Sequence, residues 1–165
     1  GLAFGKLYQE KLLGLGLIHS NIFADTEDRI HTRNKTLNFL ERIGIERFIN
    51  IFVPPLFFNK NTQQKNIEQV IEMGVKTSLH TTLEVTKAMR DRPSYEDVVQ
   101  KLQVPILFVV GKEDTTVPYE ISQQQFHLTQ KSIIETLEDV GHMGIYENPT
   151  RVDSAIKKLL SSSFF

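Results

Sequence analysis

Residues 104–118 read VPILFVVGKEDTTVP and residues 132–149 read SIIETLEDVGHMGIYENP, and the fold turns on these two stretches. In the first, Ile106 to Val110 is an unbroken β-forming apolar run, the pattern of a strand covered on both faces in a parallel sheet. Polar Gly111-Lys112-Glu113-Asp114 follows it, and Pro118 suits the first turn of a helix reaching about Thr129. In the second, Ser132 to Leu137 reads as a strand and DVGHMGIY, residues 139–146, as a loop. Asn148-Pro149 then opens a last helix carrying Val152, Ile156, Leu159 and Leu160 before a short polar tail, Ser161 to Ser163. A strand, a polar loop and a helix, twice in succession, predict an α/β chain with a parallel sheet.

Upstream, Asp91-Arg92-Pro93 breaks the chain, and Ser94 to Asp97 has the form of a capping box ahead of Val98, Val99 and Leu102. Before that break no strand is apparent back to about residue 21. Ile30, Leu37, Leu40 and Ile43 fall near helical spacing between Asp25 or Thr26, either of which can cap the start, and Gly44, which can end it. Phe48 to Phe58 (FINIFVPPLFF), broken by Pro54 and Pro55, reads as a bent connector. Helices are expected over residues 61–73 and 75–90. Leu12 to Ser20 (LLGLGLIHS) reads as a buried strand, and Gly1 to Glu10 as the later part of a helix with no cap ahead of it. The chain is therefore expected to be a fragment or a processed product. The implied arrangement is core over residues 1–20, a helical insertion over 21–94, and core again over 95–165.

The 165 residues suffice for one domain with a real core. Lysine and arginine total 19 against 20 aspartates and glutamates, a net charge of −1 with no long run of either sign, which disfavours nucleic acid as a partner. At 40% apolar and 24% charged residues the composition is that of a globular protein. Absence of cysteine excludes disulfides, thiolate metal sites and a cysteine nucleophile. The apolar runs fall far short of the ~20 residues that span a bilayer, so a soluble, cytoplasmic protein with no membrane span is expected.

In a parallel sheet, ligands meet the loops beyond the carboxyl ends of the strands. Two such loops carry ionisable groups: Asp114 lies after the first strand and His142 after the second. A carboxylate beside an imidazole fixes the imidazole tautomer and stabilises its charged form, which suits His142 to act as a general base. Glu113 is a rival acid, pointed elsewhere by chain alternation.

These residues resemble the α/β-hydrolase superfamily, whose members often end in a strand, G-x-x-D-x-x-x-P, a helix, a strand, G-H, then E-x-P and a final helix. Here the positions are Gly111, Asp114 and Pro118, followed by Gly141, His142, Glu147 and Pro149. Phe4 to Ser20 looks like the helix after the family's nucleophile elbow and its next strand, and residues 21–94 look like its cap. The resemblance covers nearly the whole chain but only the C-terminal part of the family's fold. It implies that Asp114 and His142 are the acid and base of a Ser-His-Asp triad acting on an ester or related acyl compound, with no cofactor. The family's G-x-S-x-G is missing, so the serine is expected outside this chain, with on the order of 100 further residues in the missing strand-plus-helix units. The missing N-terminal part, or a companion chain, is then an expected partner, and the isolated chain is expected to be inactive and to fold poorly. Two alternatives stay open: an aspartate nucleophile, as in dehalogenases and epoxide hydrolases, and a truncated interaction module without catalysis.

His19, His31, His80 and His127 show no metal-ligand spacing and read as structural. Gly14-Leu15-Gly16 lacks the third glycine of a dinucleotide loop, with His19 in its place. Ser20 and Ser122 have no elbow context. Most of Phe23, Phe48, Phe52, Phe57 and Phe58 are expected to pack the helical insertion, with Phe57, Phe58 and Met143 as candidates for lining a substrate pocket.

Overall fold

The computed structural model describes residues 1–163; Phe164 and Phe165, at the end of the 95–165 core segment, lie outside the described residues. In chain order the elements are α1 (Leu2–Leu7), β1 (Leu15–Ile18), α2 (Glu27–Ile43), α3 (Ile45–Phe52), α4 (Gln64–Gly74) and α5 (Leu79–Arg90). They continue with α6 (Glu96–Lys101), β2 (Ile106–Gly111), α7 (Tyr119–Gln125), β3 (Ser132–Leu137), α8 (Gly144–Glu147) and α9 (Pro149–Ser163). The chain divides into two compact units: one holds Gly1–Ile22, Leu56–Asn59 and everything from Tyr95 onward, the other Phe23–Pro55 and Lys60–Ser94. Residues 56–59, inside the stretch expected to form the helical insertion, thus belong with the sheet.

The sheet has the order β1-β2-β3, all parallel. All six residues of β2 are buried, as an apolar run in the middle of a covered parallel sheet requires. Its side chains alternate between faces. Leu107 and Val109 join Leu137, Val140, Val152, Ala155 and Leu159 in a cluster under α9. Phe108, pointing the other way, meets the ring of Phe126 at 5.4 Å. The register pairs Ile106 with both Leu15 and Ser132, and Gly111 with Leu137, so the tips of β2 and β3 end side by side.

The helical unit begins where Thr26 accepts the Arg29 N–H and caps α2, which ends at Gly44 with φ +76°. That positive φ favours glycine. Leu37, Leu40, Phe48, Ile49, Val53 and Ile67 form its buried apolar residues, and the Phe48 and Phe52 rings stack at 5.1 Å.

Several local expectations need correction. The first half of the supposed connector is helix α3. Nothing from Ile45 to Val53 breaks a helix, and Phe48, Ile49 and Val53 gain burial from it; only Pro54–Leu56 forms the bend. The N-cap position of α6 is held by Tyr95, which makes no side-chain cap bond, and not by Ser94 as the capping-box form implies. The loop after β3 contains the short helix α8. The serine tail is the last turn of α9, where Ser161, Ser162 and Ser163 each donate a hydroxyl to the carbonyl four residues back. Among the described residues no helix is long and apolar enough to cross a membrane.

Candidate active site

The carboxyl ends of all three strands deliver ionisable side chains to one place. Asp114 follows β2 by three residues, in a turn that its own side chain builds: Oδ1 accepts the Thr116 N–H at 2.8 Å and the Val117 N–H at 2.9 Å. The remaining oxygen, Oδ2, lies 2.9 Å from His142 Nδ1. Asp114 is only 4% exposed. Burial works against its charge, but the hydrogen bonds from His142 and the Val117 N–H, with the His19 ring close by, outweigh that and hold the carboxyl well below the usual carboxylate range. Because the carboxylate is ionised it must accept, so Nδ1 of His142 carries the proton and Nε2 is left as the basic nitrogen.

Backbone contacts keep the two loops in register. Lys112 donates to the Leu137 carbonyl and Glu113 to the Val140 carbonyl, each at 3.0 Å. The first position of G-x-x-D must be glycine for lack of space: a Cβ on Gly111 would stand 2.3 Å from the Val140 carbonyl oxygen. Glu147 clamps the histidine loop from beyond it, accepting the Gly141 N–H at 2.9 Å with Oε2 and the Phe58 N–H at 2.8 Å with Oε1. The His142 N–H donates to the Leu56 carbonyl at 2.8 Å, so residues 56–58 brace the loop on which His142 stands.

The structure brings Asp114 and His142 together and leaves Glu113 exposed. Met143 holds the N-cap position of α8, without a side-chain cap bond. Phe57 is buried with its ring 6.3 Å from that of Tyr146, whereas Phe58 is 45% exposed. Ser122 is buried on α7. His31, His80 and His127 are exposed. His19 departs from its structural reading: directly after β1, its Nδ1 lies 3.4 Å from Asp114 Oδ2, and its ring meets that of His142 edge-on at 6.0 Å. The rule that finds Asp114 and His142, that side chains just past parallel strands converge, applies equally to β1 and points to His19. The clamp role of Glu147 has no such signal, because it depends on which backbone N–H groups the folded loops present.

His19, Asp114 and His142 are also the one group among the described residues whose ligand atoms, all within 4.8 Å of one another, suit a metal ion. Sequence spacing did not reveal it, since the three come from different strands. The 2.9 Å contact between Asp114 and His142 has the length of an ordinary N–H···O hydrogen bond, and a cation there would have to displace that proton.

No family model matches the chain, and no curated protein does. Solved structures do. An esterase from Thermogutta terrifontis superposes with a TM-score of 0.89 at 23% identity, over 99% of this chain and 61% of that one. An esterase from Exiguobacterium antarcticum matches with a TM-score of 0.75 at 18% identity, over 96% of this chain and 63% of its own. The enol-lactonase from Burkholderia xenovorans LB400 gives a TM-score of 0.84 at 12% identity, over 98% and 61%. The chain thus spans about three fifths of the length of each of these structures. Parallel strands, loop order and these superpositions together assign the chain the fold of the α/β-hydrolases, over the part of that fold that these structures share with it.

Proposed function

We propose that Asp114 and His142 are the acid and base of a hydrolase acting on an ester or related acyl compound, with a serine nucleophile supplied from outside these 165 residues. The observation that carries this reading is the 2.9 Å bond from His142 Nδ1 to a buried, ionised Asp114 at the tips of adjacent parallel strands. Support comes from the fold and from two neighbours described as esterases and one as an enol-lactonase. In this mechanism Asp114 holds the imidazole with its proton on Nδ1. His142 Nε2 takes the proton of the serine hydroxyl as that oxygen bonds to the acyl carbon. The same proton then passes to the departing alkoxide, leaving an acyl-enzyme. A water gives its proton to Nε2, attacks the acyl carbon and releases the acid and the free serine.

Within the described sheet β1 pairs only with β2, and Phe4, Leu7 and Tyr8 on or beside α1 expose apolar surface. Both features support a further proposal: the open side of β1 receives the remaining strands, from the same polypeptide or a companion chain, and the serine comes with them.

The test is a fluorophosphonate reacted with the protein as its gene encodes it, followed by peptide mapping. Labelling of one serine outside residues 1–165, abolished by His142→Ala and reduced at least tenfold by Asp114→Asn, is the expected result. No serine label, with an alkyl-enzyme trapped on an aspartate instead, would move the reading to the aspartate-nucleophile class. No covalent adduct of either kind would leave a binding module.

A further inference from the structure

We infer that His19 is a positioning residue that donates its Nδ1 proton to the same carboxylate oxygen as His142, so that Asp114 holds two imidazoles and divides its charge between them. The inference rests on the hydrolase reading for its kinetic consequence and on geometry alone for the hydrogen bond.

Four observations converge. His19 is 6% exposed and stands directly after β1, where its backbone N–H donates to the Val109 carbonyl at 2.8 Å and fixes the residue to the tip of β2. Its φ is +46°, in the left-handed region, which is disfavoured for a side-chain-bearing residue and persists where surrounding contacts enforce it. Its Nδ1 lies 3.4 Å from Asp114 Oδ2, the oxygen that already serves His142. Both its ring nitrogens are buried without a hydrogen-bond partner, Nδ1 with Asp114 Oδ2 as its polar neighbour and Nε2 pressed against Gly144, where an added Cβ would come within 2.1 Å of it.

Those last two facts assign the proton. A neutral imidazole carries one N–H. On Nε2 it would be a buried donor facing only the Gly144 backbone, and the Nδ1 lone pair would then oppose a carboxylate. On Nδ1 it faces the carboxylate and leaves the pocket at Gly144 to an atom that needs no partner. At 3.4 Å the approach falls short of hydrogen-bond geometry, while Oδ2 is bonded to His142 at 2.9 Å, so in the bond inferred here the two rings compete for one oxygen. Gly144 is the first residue of α8, two places after His142, so the His19 ring also supports the backbone on which His142 stands. With both donors present the carboxylate pulls less on His142 and cannot swing its Oδ2 away.

The test compares His19→Asn with His19→Leu in the protein as its gene encodes it. Asparagine places an amide N–H two bonds beyond Cβ, where imidazole Nδ1 sits, and tolerates the left-handed conformation. Leucine is close in size and has no donor. Two readouts are taken: the downfield imidazole N–H resonances with their ring-nitrogen assignments, and kcat and KM on an ester that the protein hydrolyses. The native protein should show both protons on Nδ1 nitrogens, one from each ring. His19→Leu should lose one, shift the His142 proton further downfield, and lower kcat about tenfold with KM nearly unchanged. His19→Asn should return the His142 resonance and kcat to within about twofold of native. Should leucine prevent folding, the asparagine variant and the native spectrum still decide. A His19 proton found on Nε2 overturns the inference. So does a folded His19→Leu protein with native resonance and kcat, or a folded His19→Asn protein that loses both. The resonances need no nucleophile, so a protein that shows both Nδ1 protons but takes no phosphonate label refutes the serine-hydrolase reading alone.

Discussion

Replacing Gly111 by alanine adds one carbon at the point where the acid loop crosses the histidine loop. That carbon would stand 2.3 Å from the Val140 carbonyl oxygen and 2.5 Å from that of Gly141. An ordinary carbon–oxygen contact is about 3.3 Å, so the loops must part by about 1 Å. Both obstacles are main-chain oxygens, and the Val140 carbonyl is already engaged by the Glu113 N–H at 3.0 Å, so no side-chain rotation relieves the overlap. Parting of that size breaks the Glu113 bond and stretches the 2.9 Å contact from Asp114 to His142 beyond hydrogen-bond range. Overpacking of this kind costs about 1–3 kcal/mol and the lost bond about 0.5–1.5, offset by up to about 1 kcal/mol from a stiffer unfolded chain. A net loss of about 2–3 kcal/mol should lower the urea midpoint by roughly 1–1.5 M. Urea unfolding followed by circular dichroism measures it, with Gly16→Ala as control, because a Cβ there meets only Leu159 at 3.8 Å. A Gly111→Ala protein that unfolds with the control and keeps the His142 Nδ1 proton would refute the reasoning.

Asp114 also predicts how stability responds to acid. Its carboxyl is held below the usual value in the folded chain, so as pH falls below about 4 the unfolded chain takes up a proton that the folded chain refuses. The stability it contributes is therefore fully present above that pH and drains away below it. Asp114→Asn should be less stable than native at neutral pH and show a shallower acid decline, read from denaturation at about 0.2 M salt, where exposed ion pairs are screened. Equal slopes for the two proteins would contradict this. Glu147→Gln keeps one acceptor but turns an amide donor toward either the Gly141 or the Phe58 N–H. Since Phe58 is half exposed, a loss of about 1–2 kcal/mol is expected, with faster hydrogen exchange at those two amides; unchanged protection would remove Glu147 as the clamp.

How legible each feature was follows from the range of the forces behind it. β2 could be read because six consecutive residues suited to burial leave a strand few other places to go, and α2 because Thr26 and Gly44 mark its ends by local backbone chemistry. α3 was hidden because its apolar residues owe their burial to other helices of the same unit, and two prolines just beyond dominated the local pattern. The serines closing α9 read as a tail because their preference is polar, whereas the folded chain lets each hydroxyl bond back to its own helix.

The linear chain of residues was enough to place a carboxylate and an imidazole just past two parallel strands, because strand periodicity and turn chemistry act over a few neighbours. Folding alone settled the 2.9 Å between them, the approach of His19 from a third strand, and the grip of Glu147 on backbone amides far from it in the chain. Those depend on strand order and loop packing, which bring together residues such as His19 and Asp114, far apart in the chain, and leave no mark on their neighbours in sequence.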